Sequence, residues 1–157
     1  MSIDVNVQYA VPKPGLPAAT EIESWACAAL TQAKRERAAL TVRIVDEQES
    51  ADLNQTFRQR SGPTNVLSFP FAAPAQVASA RDYLGDLVIC APVVVSEASE
   101  QHKDISAHWA HMVVHGSLHL LGYDHLSDEQ AHEMEALETK ILADIGYPDP
   151  YLETQTL

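Results

Sequence analysis

The block from His115 to His125 reads HGSLHLLGYDH, and it constrains the fold more than any other part of the chain. His115 and His119 are four residues apart, so on a helix their side chains leave the same face one turn apart, as two imidazoles on one tetrahedral ion require. Gly122 tolerates the left-handed conformation that ends a helix, and the turn after it can bring His125 back toward the first two rings. The chain must therefore supply a helix that runs up to Leu121 and stops there. Three neutral nitrogen donors with a fourth position open are the composition of a catalytic rather than a structural zinc site. The spacing predicts one bound ion; imidazole ligands favour zinc, although nickel or copper would also bind.

All seven histidines lie between His102 and His132. His111 and His108 continue the same stripe one and two turns before His115. They are either groups standing behind the ligands or buried histidines satisfied by backbone or water. His102 and His132 read as solvent positions. Asp124, next to His125, either orients a ligand imidazole or is an ordinary turn residue. The HxxxHxxGxxH spacing is that of the metzincin proteases, but the position of their general-base glutamate is Gly116 here, which argues against peptide hydrolysis.

The rest of the pattern alternates strands and helices without internal repeats. Ile3, Val5, Val7 and Tyr9 predict a strand, ended by the Pro-rich stretch from Val11 to Pro17. Thr20 and Glu23 read as a capping box for a helix carrying Ile22, Trp25, Ala26, Ala29, Leu30 and Ala33, closed by Lys34, Arg35 and Arg37. Leu40, Val42 and Ile44 form a second strand. A short helix from about Glu47 to Gln59, with Leu53 and Phe57 inward, is broken by Ser61-Gly62-Pro63. Val66 to Phe71 and Tyr83 to Cys90 read as two more strands, joined by a mobile Ala/Pro/Ser loop from Ala72 to Arg81. Pro92 opens a helix through Ala98, the histidine helix spans about Ser106 to Leu121, and a last helix runs from Ser127, capped with Gln130, to Ile145. The expected fold is α/β (α+β): a four-stranded mixed sheet with packed helices and the zinc site at the end of a long helix. It forms a single domain over residues 1–151, followed by a flexible tail at 152–157.

A chain of 157 residues buries enough surface for one real core. No apolar run approaches the roughly 20 residues that span a bilayer, and the N-terminus lacks a basic-then-apolar signal, so a cytoplasmic protein without membrane contact is expected. Cys27 and Cys90 are expected to be free thiols rather than a disulfide framework. The formal net charge of −12 opposes non-specific binding to nucleic acid, so any RNA role must rest on local features.

A second set of blocks accompanies the histidines. Leu53-Asn-Gln-Thr-Phe-Arg58 precedes Pro63-Thr-Asn-Val-Leu-Ser-Phe69, Leu84-Gly-Asp-Leu-Val88 follows, and Gly146-Tyr-Pro-Asp-Pro-Tyr151 lies near the end. Together with HGSLHLLGYDH these blocks resemble the YbeY family of bacterial endoribonucleases, over about half the chain and in the family's order. The resemblance implies a zinc-dependent, single-strand-specific RNase that acts in maturation of the 3′ end of 16S ribosomal RNA and in ribosome quality control. It implies metal ligands at His115, His119 and His125, a functional arginine at Arg58, and partners among the 16S rRNA precursor, the small ribosomal subunit and assembly factors such as the GTPase Era.

The residues themselves are compatible with that chemistry. A phosphodiester needs an activated oxygen nucleophile and neutralisation of charge on phosphorus; Arg58, always charged and planar, matches two phosphate oxygens, although a surface-helix role is its plain alternative. The nucleophile is either water activated at the metal or the ribose 2′-OH. Asn65, Ser68 and Asp86 are candidates for lining the cleft. Asp86, a carboxylate inside an apolar strand, either faces solvent on the open side of the sheet or is paired, and can be considered for the missing base. A basic groove around Arg58, Arg60 and Lys103 would offset the acidic charge. The competing reading is a non-catalytic ribosome-assembly factor in which zinc clamps the His125 turn onto its helix, with a zinc protease third.

Overall fold

In the strand from Arg37 to Val45 alternate side chains are buried: Ala38, Leu40, Val42 and Ile44 point one way, and Thr41 and Arg43 the other. That period of two fixes which face of the sheet receives helices. The computed structural model describes residues 2–71 and 82–151, so the expected loop at 72–81 and tail at 152–157 lie outside them. The order is β1 (Ser2–Tyr9), α1 (Ala19–Gln32), β2 (Arg37–Val45), α2 (Glu47–Arg58), β3 (Val66–Pro70), β4 (Tyr83–Cys90), α3 (Ala91–Glu100), α4 (Ile105–Leu120) and α5 (Asp128–Asp144).

The sheet is four-stranded and mixed, in the order β1-β2-β4-β3. β1 and β4 both run parallel to β2, and β3 pairs antiparallel with β4 at the edge. Ile22, Trp25, Ala29 and Leu30 of α1, Trp109, Val113 and Leu118 of α4, and Met134, Ile141 and Leu142 of α5 share one core with the inward residues of the sheet. A smaller apolar group, Val45, Leu67, Val88 and Cys90 with Leu53 and Phe69, lies beneath α2. From His108 to Leu118 every residue of α4 except His115 is buried, the mark of a central helix. His108, His111, His115 and His119 are therefore mounted on a helix central to the fold. Cys27 and Cys90 are both free thiols. Among the described residues no helix is long and apolar enough to cross a membrane.

Several local expectations are corrected. α1 begins at Ala19 rather than at a Thr20 cap, with Glu21 accepting the Ala18 backbone N–H at 3.1 Å. It stops at Gln32 because Lys34 takes a left-handed φ of 62°, so Arg37 opens β2 opposite Ser2 instead of closing the helix. Phe57 is 58% exposed and meets Phe69 edge-on, because the buried stripe of α2 is polar: Ser50 and Asn54. These two clamp the approach to β3. Ser50 Oγ exchanges hydrogen bonds with the Thr64 backbone, and Asn54 donates to the Gly62 carbonyl at 2.9 Å.

Candidate metal centre

α4 starts where Asp104 accepts the Ala107 N–H and ends in a Schellman turn: Tyr123 N–H reaches the Leu118 carbonyl at 3.1 Å and Gly122 N–H the His119 carbonyl at 3.0 Å. Gly122 carries φ +102°, a conformation that a side chain at this position would strain. The chain reverses there, and Asp124 accepts the His125 backbone N–H at 2.8 Å, which holds the turn. His125 Nδ1 also lies 3.5 Å from the same Asp124 carboxylate, so Asp124 both holds the turn and faces the ligand candidate.

This geometry gathers His115, His119 and His125, each with a ring nitrogen within 4.8 Å of the others. His115 Nε2 and His119 Nε2 are 3.1 Å apart. Two nitrogens on one tetrahedral zinc at ~2.05 Å would be about 3.3 Å apart, so the spacing of the pair suits co-ligands of one ion as well as donor and acceptor to each other. Burial first, and then the neighbouring His115, lowers the pKa of His119, keeping its ring in the neutral form that ligates. A nitrogen-only donor set with the exposed His125 on its outer side fits a zinc ion with a position left for an incoming group.

Behind the triad stands a residue that the sequence reading passed over. Glu138 of α5 is completely buried, and its carboxylate accepts hydrogen bonds from His115 Nδ1 and the Tyr151 hydroxyl, with His111 Nε2 at 3.3 Å. Burial by itself would raise its pKa, but the hydrogen bonds from His111, His115 and Tyr151 outweigh that and hold it at about 2. The Tyr151 hydroxyl is pushed up in turn, by burial and then by its hydrogen bond to the Glu138 carboxylate. Glu138 sits on the α5 stripe of Met134, Ile141 and Leu142; a carboxylate on an apolar stripe was the available signal. His111 touches Glu138 and Tyr151 rather than the triad's common point, so it stands behind the carboxylate. His108 belongs to a separate group, sharing the Glu97 carboxylate with Asn65. Asn65 thus ties the entry to β3 onto α3 and is spent on that contact.

Gly116 has a packing reason. A Cβ built there would meet Leu87 Cδ2 at 2.8 Å and Val66 Cγ2 at 3.3 Å, so α4 rests on the sheet at this glycine and a protease-type glutamate would be driven into the interface. Ser68 Oγ lies 3.5 Å from the Gly116 carbonyl, on the α4 side of edge strand β3. Arg58 donates to the Ser68 carbonyl at 2.7 Å, its guanidinium 5.9 Å from the Phe69 ring centre. It therefore lies exposed along the strand that borders the His115 end of the site.

Asp86 does not join the site. Leu87 faces α4, so its neighbour Asp86 faces the opposite side of the sheet, where it is exposed, bonded to the Tyr83 hydroxyl, and lines a hollow of about 610 Å³ with Arg43, Glu49, Phe57 and Phe69. The sheet separates it from the histidines, which rules it out as their general base in this arrangement. Lys103 is likewise not part of a basic groove: its ammonium donates to the Pro150 carbonyl at 2.6 Å, and burial lowers its pKa.

The chain matches the profile of the family described as Endoribonuclease YbeY over residues 15–146. An Endoribonuclease YbeY from Nitrosococcus oceani is 52% identical over 151 residues, which span 96% of this chain and 98% of that relative. Among solved structures, the solution structure of TM1509 from Thermotoga maritima matches with a TM-score of 0.56 at 25% identity, covering 94% of this chain and 99% of that one.

Proposed function

Because the chain belongs to the YbeY endoribonuclease family, we propose that it is a zinc-dependent, single-strand-specific endoribonuclease acting in 16S rRNA 3′-end maturation and ribosome quality control. The observation that carries this reading is the convergence of His115, His119 and His125 at a helix end, with the exposed Arg58, the last residue of α2, bonded to the edge strand β3 that packs on α4. A zinc ion held by the three imidazoles supplies a Lewis acid for charge developing on phosphoryl oxygens. Arg58 supplies the second cationic contact, its fork matched to a phosphate, and must exchange its present bond to the Ser68 carbonyl for that ligand. Gly116 offers no carboxylate next to His115, and Asp86 lies across the sheet, so neither of these positions presents a protease-type base to the triad.

A net charge of −12 gives poor intrinsic affinity for free RNA, which favours delivery of substrate by partners: the small ribosomal subunit and assembly factors such as Era, in the cytoplasm. The same charge is what favours the second reading, a non-catalytic assembly factor. Cleavage of single-stranded RNA by identically purified parent, Arg58→Glu and His115→Ala proteins separates the two. Loss in both variants, with Arg58→Glu still folded, supports the enzyme; equal activity in all three points to a contaminating nuclease and leaves the assembly factor ahead. Product ends identify the nucleophile: a 2′,3′-cyclic phosphate indicates the ribose 2′-OH, and its absence together with cleavage of a substrate lacking that hydroxyl indicates water.

A further inference from the structure

His115 presents two nitrogens to two different environments. Its Nε2 faces His119 Nε2 and the point shared with His125, whereas its Nδ1 meets the fully buried Glu138 carboxylate. A buried carboxylate is an acceptor only, so the ring must carry its proton on Nδ1 and leave a lone pair on Nε2. We propose that Glu138 is a positioning residue for the metal centre: it fixes the tautomer and ring plane of His115, while the Tyr151 hydroxyl on its second oxygen and His111 on the oxygen shared with His115 lock the carboxylate in place. The inference rests on the proposed metal site and deepens it.

Three features support a dedicated role over ordinary core packing. Glu138 has no exposed surface, and His115, His111 and Tyr151 each bring a group that can donate to it. Its partner is the triad histidine whose remaining nitrogen faces the other two. The tyrosine that secures its second oxygen comes from the far end of the described chain, and that end is itself fastened: Lys103 holds the Pro150 carbonyl, and Asp149 accepts the Tyr151 N–H at 2.9 Å. The C-terminal segment, remote from the histidines in sequence, thereby reaches the metal centre through Tyr151, Glu138 and His115.

The same atoms admit one rival arrangement, because His111, His115 and Glu138 also lie close enough together to hold a cation of their own. That would require His115 to bridge two ions through both nitrogens, and it would replace the hydrogen bond that His115 Nδ1 now makes to Glu138, at a point enclosed by the buried His111 and Glu138. The hydrogen-bonded arrangement needs neither.

The test uses the full chain, stripped of metal and titrated with zinc against a chromophoric chelator, alongside Glu138→Gln, Tyr151→Phe and His119→Ala. Native mass spectrometry counts bound ions, and nitrogen-15 NMR reads the His115 tautomer. The expected result is one zinc per parent chain, His115 protonated on Nδ1 when zinc is bound, affinity weakened about 10- to 100-fold in Glu138→Gln and less in Tyr151→Phe. A merely structural Glu138 would lower the melting temperature of Glu138→Gln yet leave zinc affinity and tautomer at parent values, and that outcome overturns the proposal. Should Glu138→Gln fail to fold, Tyr151→Phe and the parent spectrum still decide: unchanged affinity with the proton on Nε2 would refute it. Two zinc ions per parent chain, with one lost in Glu138→Gln, would establish the rival cation site. If His119→Ala abolishes zinc binding while Glu138→Gln does not alter it, the metal site stands and the positioning role falls; if the parent binds no zinc, both fall.

Discussion

Replacing Gly116 with glutamate would restore the sequence signature of a zinc protease, and the structure predicts that it damages the fold instead of creating a peptidase. The new Cβ would lie 2.8 Å from Leu87 Cδ2, 3.1 Å from Leu87 Cδ1 and 3.3 Å from Val66 Cγ2, and Leu87 is fully buried. Overpacking of this kind costs about 1–3 kcal/mol, against a gain of up to about 1 kcal/mol from removing glycine from a helix. For Gly116→Ala these two terms leave a loss of about 0–2 kcal/mol. Glutamate adds a carboxyl with no partner between α4 and the sheet, worth a further 2 kcal/mol or more, roughly. The total for Gly116→Glu is therefore about 2–4 kcal/mol or more, a fall of roughly 4–16 °C in melting temperature for a chain of this size. Calorimetry or denaturant unfolding of the two variants beside the parent, with a peptidase assay, checks the sum. A Gly116→Glu protein that melts within about 2 °C of the parent, a shift that corresponds to 1 kcal/mol or less, would refute the argument that helix contact dictates this glycine.

Other perturbations follow from the same contacts. Glu138 is held at about 2, below its ordinary 4.5, so its stabilisation is fully present above the ordinary value and is lost as pH falls through the folded one. Urea unfolding of the metal-free parent should therefore weaken across that acid window by about 3 kcal/mol more than Glu138→Gln does, and parallel curves would contradict the assignment. Gly122→Ala must place a side chain at φ +102° with no contact to compensate, so it should lose about 1 kcal/mol or more and loosen the His125 turn, measured as lower stability together with weaker zinc binding. Lys103→Met should release the Pro150 carbonyl and raise amide exchange around Tyr151 while leaving exchange in β2 at parent rates.

Much of the site could be read from the chain because its information is local. His115 and His119 are related by one helical turn and His125 by a glycine stop, and both devices act within a few residues. Strand alternation likewise marked β1, β2 and the apolar β4. What escaped the sequence depends on partners far apart along it. Glu138 meets His115 across 23 positions, and its role shows once α5 packs on α4. The side of the sheet taken by Asp86 is set by which neighbour touches α4, information that resides in Leu87 and Gly116 together. Parallel pairing of β2 with β1 and β4 carries no turn signature, so strand order was not legible. Phe57 misled because an aromatic at helical spacing suggests a core, whereas α2 turns its buried polar stripe to the loop before β3. Lys103 misled because charge alone does not reveal that its ammonium is already committed to a carbonyl.

The central claim is that three histidines hold one metal ion on which RNA cleavage depends. The most direct test is to strip the protein of metal, add zinc back in fractions of an equivalent, and follow cleavage of a single-stranded RNA and its duplex form. The account predicts no cleavage without metal, a linear return that reaches its plateau at one zinc per chain, and a preference for the single strand. Cleavage that is undiminished in the stripped protein, or that fails to return at any zinc concentration while the protein remains folded, would contradict it.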